Sequence, residues 1–129
     1  MHLTRHLKKG LRNFLRIMQS RIEEHIVTRL QPIITPSYMY DEQGALPYCV
    51  YEVENLQPIM AKRGPIGYTA SASIYLVAKS EAESVSLKDN VLNALVEKQA
   101  GYVINVDAVQ PAFAEDKWLQ KIDINVKQL

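Results

Sequence analysis

The chain has 129 residues, 47% of them apolar and 22% charged, with a net charge of +1. That length suits one domain, 1–129, with a real core. The balance excludes a chain that binds nucleic acid by bulk charge alone. A single cysteine, Cys49, excludes an internal disulfide, and no apolar run approaches the roughly 18–20 residues that a membrane span needs, so no membrane partner is expected.

The charge is unevenly spread. Residues 1–30 hold seven Lys or Arg against Glu23 and Glu24, a net +5, which leaves −4 on the other 99 residues. Leu3, Leu7, Leu11, Phe14, Leu15, Met18, Ile22 and Ile26 fall on one stripe of a helix. Arg5, Lys9, Arg12 and Arg16 form a second, basic stripe on another face. Thr4 is placed to cap the start, and Pro32 ends the pattern near Leu30. Glu23, Glu24 and the unbroken period argue against a transit peptide.

Residues 33–40 read as an edge strand interrupted by proline, and Asp41 to Gly44 as a turn. From Pro47 the chain alternates: Cys49, Tyr51 and Val53 share one face, Glu52 and Glu54 the other. Residues 56–67, with Pro58, Gly64, Pro65 and Gly67, are expected as a long loop. The next strand sends Tyr68, Ala70, Ala72, Ile74 and Leu76 one way and Thr69, Ser71, Ser73 and Tyr75 the other. Ser80 and Glu83 form a capping-box pair that opens a second helix, with Val85, Val91, Leu92, Leu95 and Val96 as its buried side and Gly101 as its end. Two strands close the chain. Tyr102, Ile104, Val106 and Ala108 alternate with Asn105 and Asp107. Trp118, Ile122, Ile124 and Val126 alternate with Lys121, Asp123 and Asn125. A loop is expected at 110–117.

The order α-β-β-β-α-β-β, with one polar face per strand, implies an α+β fold. It is a mostly antiparallel sheet of four to five strands with two helices on one face: a long basic helix at 1–30, then the sheet and second helix at 31–129.

Chemistry is thinly represented, and no enzymatic activity, cofactor or metal is expected. His2 and His6 stand four apart, but no third ligand follows; His25 reads as a packed histidine. Cys49 reads as a small buried hydrophobe, because no base lies near it in sequence. Glu52, Glu54, Asp107 and Asp123 are where a solvated sheet face puts its polar residues. Neither GxGxxG nor GxxxxGK[ST] occurs. Two basic features are left. The helix stripe can be a solvated face, a contact for an acidic partner or another copy of the chain, or a contact for nucleic acid backbone. Lys62 and Arg63 lie in a loop that is either a contact point or merely solvated.

The stretches ALPYCVYEVENLQP (45–58), YTASASIYLVAKSEAESVSLKDNVLNAL (68–95) and INVDAVQPAFAEDKWLQKIDINVKQL (104–129) carry a resemblance. In their order of strands and helix they resemble the tail-completion, or tail-terminator, proteins of tailed bacteriophages. The first helix is longer and more basic than that pattern, and Trp118 stands where it has Tyr. The resemblance implies a homo-oligomer, a hexameric ring at the head-proximal end of the tail, with the tail tube protein and the head–tail connector protein as partners. DNA would pass through the ring. The protein would sit in the virion tail and be assembled in the bacterial host cytoplasm. Arg5, Lys9, Arg12 and Arg16 would then meet a neighbour's acids or the DNA channel, and the segment from Lys62 to Gly67 would reach the tail tube. The alternative is a nucleic-acid-binding or regulatory adaptor that uses the basic helix.

Overall fold

The computed structural model describes residues 2–38 and 45–129; within 2–38, the side chains of residues 2–11 and of Phe14 are outside the described set. The expected turn from Asp41 to Gly44 lies outside the described residues.

A helix, α1 (His2–Leu30), comes first. Its C-terminal half is held by the apolar stripe: Met18, Ile22, Ile26 and Leu30 are all buried. Since the helix runs from His2, Thr4 lies inside it and is not its cap. A short strand, β1 (Pro36–Tyr38), pairs in parallel with β2 (Tyr48–Ala61) over Cys49–Tyr51. β2 turns back into β3 (Gly64–Ala78), and α2 (Glu81–Val96) follows. The last hairpin is β4 (Tyr102–Ala114) and β5 (Lys117–Gln128). The five strands lie in the order β1-β2-β3-β5-β4. The expected element order holds. The sheet is mixed, because β1 alone is parallel to its neighbour.

Both helices cover one face. Facing them, the inward positions form rows across the sheet: Tyr51 pairs with Ile74 and Ile74 with Ile122, while Ala72 pairs with Ile124 and Ile124 with Val106. Ile74, Ile122, Ile124 and Val126 are 1% exposed or less, so this is the centre of the core. The other face is polar, and its residues partner each other. Ser73 Oγ donates to Asp123 Oδ1 at 2.8 Å, Asn125 Nδ2 donates to Thr69 Oγ1 at 3.3 Å, and Lys121 Nζ stands 3.7 Å from Asp123 Oδ1.

Four expectations are corrected. Residues 56–67 are not a loop: β2 and β3 continue as a hairpin to a two-residue turn, Lys62-Arg63. Among the described residues β1 pairs with β2 only as far as Tyr51, so no described strand needs the N–H that Pro58 lacks on that side. Residues 110–117 are likewise strand, closed by the turn Glu115-Asp116, whose positive φ angles of 54° and 59° match a tight hairpin. In α2 the buried side is Ser84, Val91 and Leu95, with Leu87 and Leu92 partly buried; Val85 and Val96 are exposed. Val91, Leu92 and Leu95 are on the buried side as expected, Ser84 and Leu87 take the places of Val85 and Val96, and the helix stops at Val96, well before Gly101. In β4 a bulge between Val106 and Ala108 takes up Asp107, so Val109 and not Ala108 returns to the inner face.

Ser80 does cap α2, its Oγ accepting from the Glu83 backbone N–H at 3.2 Å. Gly67 is required by close approach: a Cβ there would stand 2.2 Å from the Gln128 carbonyl oxygen.

Candidate functional site

The sequence-predicted residues fall on two separate elements. Arg12 and Arg16 are exposed on α1. The side chains of Arg5 and Lys9 lie outside the described residues. Lys62 and Arg63 are the exposed turn of the β2–β3 hairpin. Among the described residues, none of these four cations makes an ion pair.

The hairpin outruns the sheet. β5 accompanies β3 only from Tyr68 onward, so residues Ile59 to Gly67 form a two-stranded ribbon beyond the last shared row. Its apolar members are uncovered: Met60 is 61% exposed and Ile66 57%. An isolated two-stranded ribbon gains little stability of its own in water. The ribbon is an arm that gains little burial from its own sheet.

At the opposite end of the strands, the β4–β5 turn presents Glu115 and Asp116, both exposed. Beside it Phe113 packs on Trp118 with ring centroids 4.7 Å apart, yet Phe113 remains 57% exposed. α2 opens close by, three residues after Ala78, the cross-strand partner of Trp118, and brings Glu81 and Glu83 into its first turn.

A cleft of about 700 Å³ lies among α1, the end of α2, the start of β4 and Leu129. His25 lines it, stacked on Tyr102, and so does Arg29. Arg29 is already committed: Nη2 donates to the Glu97 carbonyl oxygen and Nη1 stands 3.7 Å from Glu97 Oε2. Burial, and then the Arg29 charge, lower the His25 pKa below its ordinary 6.5. Burial, helped by neighbouring Tyr102, raises the pKa of the Tyr68 phenol. Tyr68 is fully buried and does not line the cleft; the carboxylate that does, Glu97, faces Arg29.

Cys49 is 1% exposed, and burial pushes its thiol up to about 12, so it is a packed side chain and not a nucleophile. Glu52 and Glu54 share the open face. A hydrogen bond to Glu54, with burial and the Glu54 charge behind it, raises the Glu52 pKa, while Lys121 opposes the shift. Among the described residues no group of three or more His, Cys, Asp or Glu is placed to hold a metal ion. No helix among them is long and apolar enough to cross a membrane.

Sequence reading missed the projecting arm and the aromatic–acidic turn. The letters at both turns are weak hairpin signals. Lys62-Arg63 and Glu115-Asp116 are not the Asn-Gly or Asp-Gly pairs that mark tight turns. Proline in each arm then tilts the reading toward loop. No family model and no curated protein matches the chain.

Proposed function

We propose that this chain is a structural assembly protein of a tailed bacteriophage. It caps the tail tube and joins it to the head connector as an oligomeric ring, and it does so without enzymatic chemistry. The observation that carries the reading is the β2–β3 arm. An arm with two large apolar side chains uncovered and two cations at its tip has no use in an isolated monomer. The resemblance of residues 45–129 to tail-completion proteins supplies the kind of assembly. The exposed Arg12 and Arg16 suit a neighbour's acids or DNA in the channel.

The test is the solution mass, by light scattering behind size exclusion, at low and high salt, with and without the purified tail tube protein. A mass near six copies is expected, alone or on the tube, as the resemblance implies. A monomer under every condition, coupled to DNA binding that falls steeply with salt, overturns the ring. It would put in its place an adaptor working through the basic helix.

A further inference from the structure

An oligomer can grow from a sheet either at its edges or at its strand ends, and the edges here are blunted. On its free side β4 carries the bulge at Asp107 and Pro111, which has no N–H to offer. Beyond Tyr51, where no described residue pairs with its outer side, β2 carries a bulge after Glu54, Asn55 with φ of 52°, and Pro58. Both are devices that keep a strand from adding to the sheet.

The strand ends are different. One is the arm, basic and apolar: Lys62, Arg63, Met60 and Ile66. The other is the β4–β5 turn, acidic and aromatic: Glu115, Asp116 and Phe113 on Trp118. Each matches the other in charge, and each leaves large apolar groups in water. A single copy cannot bring them together. β3 runs from Gly64 beside the first turn to Ala78 beside the second, 15 residues, or roughly 45 Å at about 3.3 Å each.

We infer that the β2–β3 arm of one copy seats on the β4–β5 turn of the next, with Lys62 and Arg63 facing Glu115 and Asp116 and with Met60 and Ile66 covering Phe113. This rests on the assembly reading above and names the contact that builds it. The contact joins two unlike patches, so it is head-to-tail. Such contacts close into a ring when the rotation per copy allows and otherwise run on as a filament.

Two experiments on the full chain test it. The double variants Lys62→Glu with Arg63→Glu, and Glu115→Lys with Asp116→Lys, change only exposed turn residues; thermal melts check that each still folds. Each alone is expected to lose the oligomer in light scattering, and an equimolar mixture to recover assembly. Independently, Arg63→Cys and Asp116→Cys proteins are mixed and oxidised. A mixed disulfide is expected, with buried Cys49 not competing. An oligomer that persists in both charge variants and gives no mixed disulfide overturns this contact and leaves the assembly reading standing. A wild-type monomer with no mixed disulfide at any concentration, with or without the tail tube protein, overturns both.

Discussion

The imidazole of His25 lies flat on the ring of Tyr102, centroids 3.9 Å apart and planes 10° from parallel. The stack ties α1 to the first residue of β4, across the mouth of the cleft. His25 is only 8% exposed, and its Nε2 has no hydrogen-bond partner among the described residues. An imidazolium there would be largely desolvated, and it would face the Arg29 charge.

The sign of the pH dependence follows. With the folded pKa below 6.5, the unfolded chain binds the extra proton as pH falls through 6.5, so stability declines on the acid side of that value. His25→Phe keeps a ring on Tyr102 and removes the titration. Urea midpoints of the two proteins should differ by a constant amount above about pH 7, and the wild type should lose ground below 6.5. A difference that stays constant from about pH 5 to 8 would show that His25 does not titrate against folding.

Gly67→Ala is expected to destabilise by about 1–3 kcal/mol, the range for forcing atoms into a packed site. The added Cβ would meet the carbonyl oxygen of Gln128 and the Cα of Leu129, both backbone, so no side chain can swing aside. Gly64→Ala tests a different cause: nothing lies within 4 Å of its Cβ, but its φ of 125° is a conformation that L residues avoid. Chemical denaturation should show both variants weakened. Only Gly67→Ala should also loosen the end of β5, read as faster amide exchange at Gln128 and Leu129.

Glu52 gives the opposite pH sign from His25. Its pKa is raised by the hydrogen bond to Glu54, by burial and by the Glu54 charge, so its ionised form opposes folding once pH rises through the folded value. Glu52→Gln is expected to be slightly stabilising at pH 7. The gain should shrink with added salt, because the site is largely solvated. It should vanish below about pH 4.5, where wild-type Glu52 is protonated in both states. Midpoints at pH 7 and pH 4 check this; a gain of equal size at both would assign the effect to something other than charge.

How much was legible in the sequence depends on which force decides each element. Periodicity reports burial, so the α1 stripe from Met18 to Ile26 and the alternation through Tyr68 to Leu76 placed the core correctly. Where burial is absent, the pattern fails. The arm beyond Tyr68 buries little, Pro58 and Pro65 point toward a loop, and its turn letters are generic, so nothing local marks Ile59 to Gly67 as strand. Val85 and Val96 misled for a related reason: valine is apolar, but the true stripe on α2 passes through Ser84, whose hydroxyl is satisfied by the Glu81 carbonyl oxygen at 2.8 Å. The bulge at Asp107 shifted Ala108 outward, and a one-residue insertion leaves no trace in composition. Of the candidate residues, Lys62 and Arg63 were found by charge alone. Their acidic and aromatic counterpart, 45 residues or more along the chain, emerges only from the pairing of strands.

Ile26 and Cys49 separate two meanings of a buried position. Ile26 is fully buried in the stripe that fastens α1 to the sheet, so Ile26→Ala should cost about 2–5 kcal/mol through lost burial and the cavity left behind. Cys49 is buried on β2 opposite Leu76, with its thiol pushed up to about 12. It should therefore resist thiol reagents in the native state and react at a rate set by opening of the sheet. Ile26→Ala then gives a direct readout on Cys49. If α1 is part of the same cooperative unit as β2, weakening the helix must raise the reactivity of Cys49 by the factor that the stability loss dictates, about tenfold for each 1.4 kcal/mol, as long as reclosing outpaces reaction. If α1 frays without the sheet, the stability loss will appear in helix signals alone and Cys49 will stay as protected as in the wild type. The one core cluster that holds Ile22 and Ile26 together with Cys49, Ile74 and Ile122 argues for the first outcome, since one core serves both elements.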